Sequence, residues 1–117
     1  MPKQPVIVAA GGTWVVRAGG AVIGESSRAI ELIEAASEIE GQGMIFFPRE
    51  DLGMAFLESS ETRRASDALG PAQYFGIVTA QGLIPDAAWS YETPPEGAAR
   101  IAGLIAFDAR RVAVEEV

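Results

Sequence analysis

Glycine and proline set the scale of what this chain can fold into. Thirteen glycines and seven prolines punctuate its 117 residues, and the apolar stretches between them are short. Short runs rich in β-branched and aromatic residues, bounded by turn residues, read as strands; packed helices need longer ones. Thr13 to Ala18 is such a run, and Gly19-Gly20 supplies the positive φ angles of a tight hairpin whose partner is Ala21 to Gly24. Met44 to Phe47 reads as a buried strand stopped by Pro48, which cannot donate to a sheet ladder. Further strands are expected over Ala72 to Thr79, Ile101 to Phe107 and Arg111 to Val117, with turns at Ala80-Gln81-Gly82 and Asp108-Ala109-Arg110. The pattern predicts a mainly-β sandwich, barrel or tented pair of sheets, with 1–117 as one domain.

Some segments read less simply. Residues 27–40 fit a helix by the spacing of Ile30, Ile33 and Ile39, yet Ile30 and Leu32 also fit one face of a strand. A short helical turn is expected from Leu52 to Leu57, and the polar stretch from Ser59 to Leu69 reads as a loop, as does Thr93 to Ala99. Ala88-Trp89-Ser90-Tyr91-Glu92 holds one of two tryptophans and one of two tyrosines, alternating with small or polar residues. In a strand opened by Pro85-Asp86, Trp89 and Tyr91 share one face and Ala88, Ser90 and Glu92 the other.

Composition narrows the chemistry. The chain has no cysteine and no histidine, which removes disulfides, Cys/His zinc sites, thiol nucleophiles and histidine acid–base catalysis. Proton chemistry would fall to Asp, Glu, Tyr or Lys, or to a metal held by carboxylates. Sixteen acidic residues against nine basic give a formal charge of −7, and only Arg63-Arg64 and Arg110-Arg111 pair basic residues side by side. That balance opposes binding to nucleic acid or to an anionic membrane. The opening apolar run, Val6 to Ala10, is too short to span a bilayer and lacks the form of a signal peptide, so a cytoplasmic address is expected.

Six residues stand out as a candidate ligand site. Arg49 and Asp51 follow a buried strand, where side chains converge on pocket mouths. Arg49 suits a carboxylate or phosphate through its planar fork. Asp51 suits a base or metal ligand, or alternatively a partner for a nearby arginine or a helix cap. Arg17 lies in the first hairpin. Trp89 and Tyr91 could form an apolar wall with a polar tip, although core burial is the plainer role for Trp89. Glu92 is a candidate acid or base, or a partner of Arg17 or Arg49. Gly11-Gly12-Thr13 and Gly19-Gly20 lack the lysine and the strand–loop–helix setting of a phosphate loop.

Taken in order, several stretches resemble one small bacterial family. They are Val16-Arg17, Gly24-Glu25-Ser26 with Arg28, Phe47-Pro48-Arg49-Glu50-Asp51, Gly70-Pro71-Ala72-Gln73-Tyr74, Ala88 to Pro94, and Ile101-Ala102-Gly103 through Ala106-Phe107. The family is domain-of-unknown-function number 427, which also carries the label of a nucleotidyltransferase-like domain. The resemblance implies two antiparallel sheets meeting at an angle, similar to β-tent domains that elsewhere carry a structural zinc; this chain would be a metal-free version. It departs from the family where Ser66-Asp67-Ala68-Leu69-Gly70 replaces a Cys-Pro-aromatic-Lys-Gly run, with Ser66 at the cysteine and Leu69 at the lysine. It also has Gly24-Glu25-Ser26 in place of Ala-Asp-Ser.

Three functions follow as expectations. The first is a domain binding a small anionic or carbonyl-bearing ligand among Arg17, Arg49, Asp51, Trp89, Tyr91 and Glu92, with no cofactor. The second is a nucleotidyltransferase-like enzyme in which Glu25, Asp51 or Glu92 holds Mg²⁺. The third is an interaction module whose strand edges pair with a second copy, forming a homo-oligomer, or with a partner.

Overall fold

The computed structural model describes residues 6–33, 44–66 and 69–117. In chain order the strands are β1 (Val6–Ala9), β2 (Trp14–Ala18), β3 (Ala21–Ser26), β4 (Ile30–Ile33) and β5 (Met44–Phe47). They continue with β6 (Leu57–Ser66), β7 (Gly70–Thr79), β8 (Gly82–Tyr91), β9 (Ile105–Phe107) and β10 (Ala113–Glu116). A seven-stranded sheet runs β1-β4-β5-β9-β8-β7-β6, and a three-stranded sheet runs β10-β2-β3. The pairings are antiparallel throughout. Helical structure among the described residues is confined to 3-10 segments at Arg49–Asp51, Met54–Phe56 and Glu96–Ile101. None of the helices there is long and apolar enough to cross a membrane.

Strand alternation divides the large sheet's side chains between two apolar clusters. Phe47, Phe75, Ile77, Ala88, Ile105 and Phe107 point toward the small sheet and pack with its Val16, Ala18 and Ile23. Phe47 meets Phe107 edge-on at 5.8 Å. On the opposite face, Leu32, Phe46, Ala72, Tyr91 and Ala106 pack under Leu69 and the last 3-10 segment, through Ala98 and Ile101. The central strands are therefore buried on both faces, which explains why Met44 to Phe47 reads as a continuous apolar run rather than an alternating one.

The sheets touch closely where β3 meets the turn after β5. Gly24 forms an isolated antiparallel bridge with Leu52, and the Gly53 N–H donates to the Ile23 carbonyl at 2.7 Å. A Cβ on Gly24 would lie 2.6 Å from the Asp51 carbonyl oxygen and collide with the Leu52 side chain. Glycine is needed here for approach, Gly20 (φ +80°) for the turn of the β2–β3 hairpin, and Gly19 (φ +56°) for both, since a Cβ there would lie 2.5 Å from Thr79 Cβ on β7.

Several expectations change. Ser59 to Leu69 is not a loop over its described part: β6 runs to Ser66, and Asp67 and Ala68 lie outside the described residues. β6 is an edge strand, so β7 supplies its backbone partners and no apolar alternation is required of it. Within 27–40 the strand alternative holds for Ile30–Ile33, and 34–40 lies outside the described residues. The expected loop at 93–99 carries the start of a 3-10 segment that takes in Ile101, so the strand predicted from Ile101 starts at Ile105. The last strand is shorter than expected, because Asp108 to Arg111 is held in a turn.

The Gly24 approach yields a direct test. Gly24→Ala should lower the unfolding free energy by about 2 kcal/mol, as overpacked cores do, because backbone rather than a mobile side-chain tip stands in the way. Urea denaturation measures it; an unchanged midpoint would contradict the tight sheet junction.

Candidate functional site

Three polar constellations sit on this framework. The first clasps the two sheets. Ser26, at the end of β3, donates to Asp51 at 2.6 Å, and Arg28 donates to both oxygens of the same carboxylate at 3.2 and 2.8 Å. The Arg28 hydrogen bonds, helped by the one from Ser26, hold the Asp51 carboxyl below its ordinary range. Glu50 lies 3.6 Å from Arg28 on the exposed side.

The second constellation closes one end of the core between the sheets. Arg49 donates to the Gly103 carbonyl at 2.7 Å and to Ser90 Oγ at 3.3 Å, pairs with Glu92, and lies over the Phe75 ring at 5.7 Å. Ser90 is fully buried and donates to Glu92 at 3.1 Å. With its donors and charge so engaged, Arg49 is part of the frame.

The third is a half-open cleft of about 640 Å³ on the opposite face of the large sheet. Its aromatic floor is Tyr74 and Trp89, paired across β7 and β8 with ring centroids 5.7 Å apart and planes tilted by 37°. Arg64, from edge strand β6, rests its guanidinium over Tyr74 at 5.5 Å. Pro85, Asp86, Asp108, Arg110 and Arg111 complete the wall.

Two bulges shape that wall. On β8, Ala88 pairs with Phe75 but Ile84 with Ile77, so the strand swells at Pro85 to Ala87 and Asp86 adopts φ +52°. On β6, Ser59 pairs with Phe75 but Arg63 with Gln73, so it swells at Ser60 to Thr62. Thr62 Oγ1 donates to Asp86 at 2.7 Å across the intervening β7, tying the bulges together. Hydrogen bonds from Ser60 and then Thr62 hold the Asp86 carboxyl below its usual range. Bulges and left-handed non-glycine residues gather beside functional sites, where they re-aim side chains.

Asp108 organises the arginines. It accepts from Arg110 Nε at 3.1 Å and Arg111 Nε at 2.9 Å, and Arg111 also donates to the carbonyls of Pro85 and Asp86 at 2.7 and 2.6 Å. Burial pushes the Asp108 carboxyl up, but the hydrogen bonds from Arg110 and Arg111 together outweigh it and hold it down. Among the described residues, Arg64 has no hydrogen bond or ion pair, and the buried indole N–H of Trp89 has no acceptor. An orphaned buried donor costs about 1–3 kcal/mol, which a phenylalanine at the same place would avoid.

The six residues singled out from sequence thus separate. Arg49 and Glu92 meet, but between the sheets. Asp51 belongs to the clasp. Arg17 lies on the outer face of the small sheet, paired with Glu115 at 3.3 Å. Tyr91 is buried in the second cluster, and Trp89 alone of the six lines the cleft. Arg64, Arg110 and Arg111 had one signal in the sequence, the adjacent basic pairs in a chain poor in basic residues. Tyr74 had its strand and its place in the Gly70-Pro71-Ala72-Gln73-Tyr74 stretch. Leu69, at the family's lysine position, is buried in the second cluster, so no ammonium stands there.

The carboxylates considered for Mg²⁺ do not form a site. Asp51 is taken by Ser26 and Arg28, Glu92 by Arg49 and Ser90, and Glu25 is exposed on β3. Among the described residues no group of three or more acidic side chains is placed to hold a metal ion.

The lowered aspartates fix a pH dependence. A carboxylate depressed in the folded state adds stability above its unfolded pKa of about 3.9, and loses it as pH falls through the folded value. Stability should therefore drop below about pH 4. Asp51→Asn should be less stable at neutral pH, with a smaller further loss between about pH 5 and about pH 3. Denaturation midpoints across that range check it; parallel curves for the two chains would count against the clasp.

A comparison with curated proteins finds no match. The family model described as a domain of unknown function, DUF427, and labelled NTP_transf_9, matches residues 7–117. The two-sheet frame, the clasp at Gly24-Glu25-Ser26 and Asp51, and the Trp89 strand all fall within that span, and the chain belongs to the DUF427 family.

Proposed function

We propose that this chain is a small-ligand-binding domain, and that the cleft over Tyr74 and Trp89 takes an anionic or carbonyl-bearing organic molecule. The observation that carries the reading is Arg64: a guanidinium with no hydrogen bond or ion pair among the described residues, set over an aromatic ring at the cleft. The volume falls in the range of small-molecule sites, which combine apolar walls with a few placed polar groups. The arginine set differs from the one read in the sequence, while Trp89 and the ligand class carry over.

The enzyme alternative gains no support from its proposed carboxylates, each of which is engaged elsewhere or stands apart. The interaction alternative has one observation in its favour. Edge strand β1 exposes Val6 and Val8, a surface on which a second copy could add a strand.

A thermal-shift screen of small carboxylic acids, sugar phosphates and nucleotides, with and without Mg²⁺, tests the binding reading. A ligand at about 100 times its dissociation constant adds roughly 2.7 kcal/mol and raises the melting temperature by several degrees. The expected hit is a metal-independent anion whose shift disappears in Arg64→Gln. A hit that requires Mg²⁺ and vanishes in Asp51→Asn instead would favour the enzyme, and no hit would favour the interaction module.

A further inference from the structure

We infer that the cleft selects a flat, singly charged organic acid over saturated acids and over multiply charged phosphates; this rests on reading the cleft as a ligand site. Charge and shape both argue for it. Three arginines and two aspartates line the cleft, which leaves one net positive charge in a chain whose formal charge is −7. The two carboxylates stay where they are. Thr62 ties Asp86, while Arg110 and Arg111 hold Asp108 from two sides.

The same bonds commit Arg111 most fully, whereas Arg110 bonds Asp108 alone and stays largely exposed. Arg111 spends its donors on Asp108 and on the carbonyls of Pro85 and Asp86, and Arg110 is folded back onto Asp108. Among the described residues Arg64 has no hydrogen bond or salt bridge, and its planar fork matches one carboxylate. A triphosphate would bring several negative charges to a lining with one net positive charge and two fixed carboxylates. Each additional charge would meet repulsion rather than a partner.

The floor sets the shape. Tyr74 and Trp89 line the cleft with ring centroids 5.7 Å apart and planes tilted by 37°, and the guanidinium of Arg64 lies over the Tyr74 ring. A flat conjugated ring stacks, offset, against Trp89 beside that guanidinium, and its carboxylate at the edge reaches Arg64. A puckered saturated ring of the same size keeps the charge contact but loses the stacking.

The two indole N–H resonances make the test selective. Trp14 donates to the Gly11 carbonyl at 2.8 Å, away from the cleft, so its signal serves as an internal reference. The full chain, labelled with ¹⁵N, would be titrated with 2-naphthoate, decalin-2-carboxylate and inorganic triphosphate. The Trp89 resonance should move and saturate with 2-naphthoate while Trp14 stays, with an affinity about tenfold or more above either comparison anion. Arg64→Gln, a change at an exposed side chain, should weaken naphthoate by about tenfold or more, and Arg17→Gln on the other sheet should not. Equal binding of the saturated acid or of triphosphate would overturn the selectivity and leave the binding reading standing, whereas unchanged binding in Arg64→Gln would overturn both. No movement of Trp89 with any of the three anions would overturn both.

Discussion

The large sheet has to be covered on both faces, and the rest of the structure follows from how that is done. β5, β8 and β9 lie at its centre and carry apolar side chains to either side, so neither face can be left to water. The small sheet covers one face from above Phe47, Ile105 and Phe107. Leu69 and the 3-10 segment through Ala98 and Ile101 cover part of the other. Each large apolar side chain buried this way contributes about 1.5–3 kcal/mol relative to exposure, so the covers are where stability resides. The clasp of Ser26, Arg28 and Asp51 and the close approach at Gly24 fix where the first cover sits.

The second cover is incomplete, and the cleft lies where it ends. Tyr91 is buried, yet Trp89 two residues earlier on the same face, and Tyr74 opposite it, are only partly enclosed. An apolar ring left half-covered is ordinarily a cost, as is an indole N–H with no acceptor. Here those features coincide with paired bulges, a left-handed aspartate and an arginine that has no hydrogen bond or salt bridge among the described residues. Local rules break together in one place, which is how a site built for something other than stability looks.

How much of this was legible in the sequence depends on the kind of signal. The glycine pairs and β-branched runs announce a mainly-β chain because they act locally. The alternation around Trp89 assigns faces correctly: Trp89 and Tyr91 go to one cluster, and Ala88, Ser90 and Glu92 to the other side. β6 was hidden because an edge strand takes its partners from β7 and needs no apolar pattern of its own. The pairing of Arg49 with Glu92 was readable as an alternative, since both are placed by strand ends. The cleft was not. Its arginines come from residues 64, 110 and 111, and only the antiparallel order β9-β8-β7-β6 and the tied bulges bring them over the same pair of rings.

The position of the ligand therefore matters as much as its existence. A crystal of the full chain soaked with 2-naphthoate locates it. The naphthalene is expected against Trp89 in the Tyr74–Trp89 cleft, with its carboxylate on the Arg64 guanidinium. Naphthoate bound instead beside Arg17, or displacing Glu92 from Arg49 between the sheets, would contradict it.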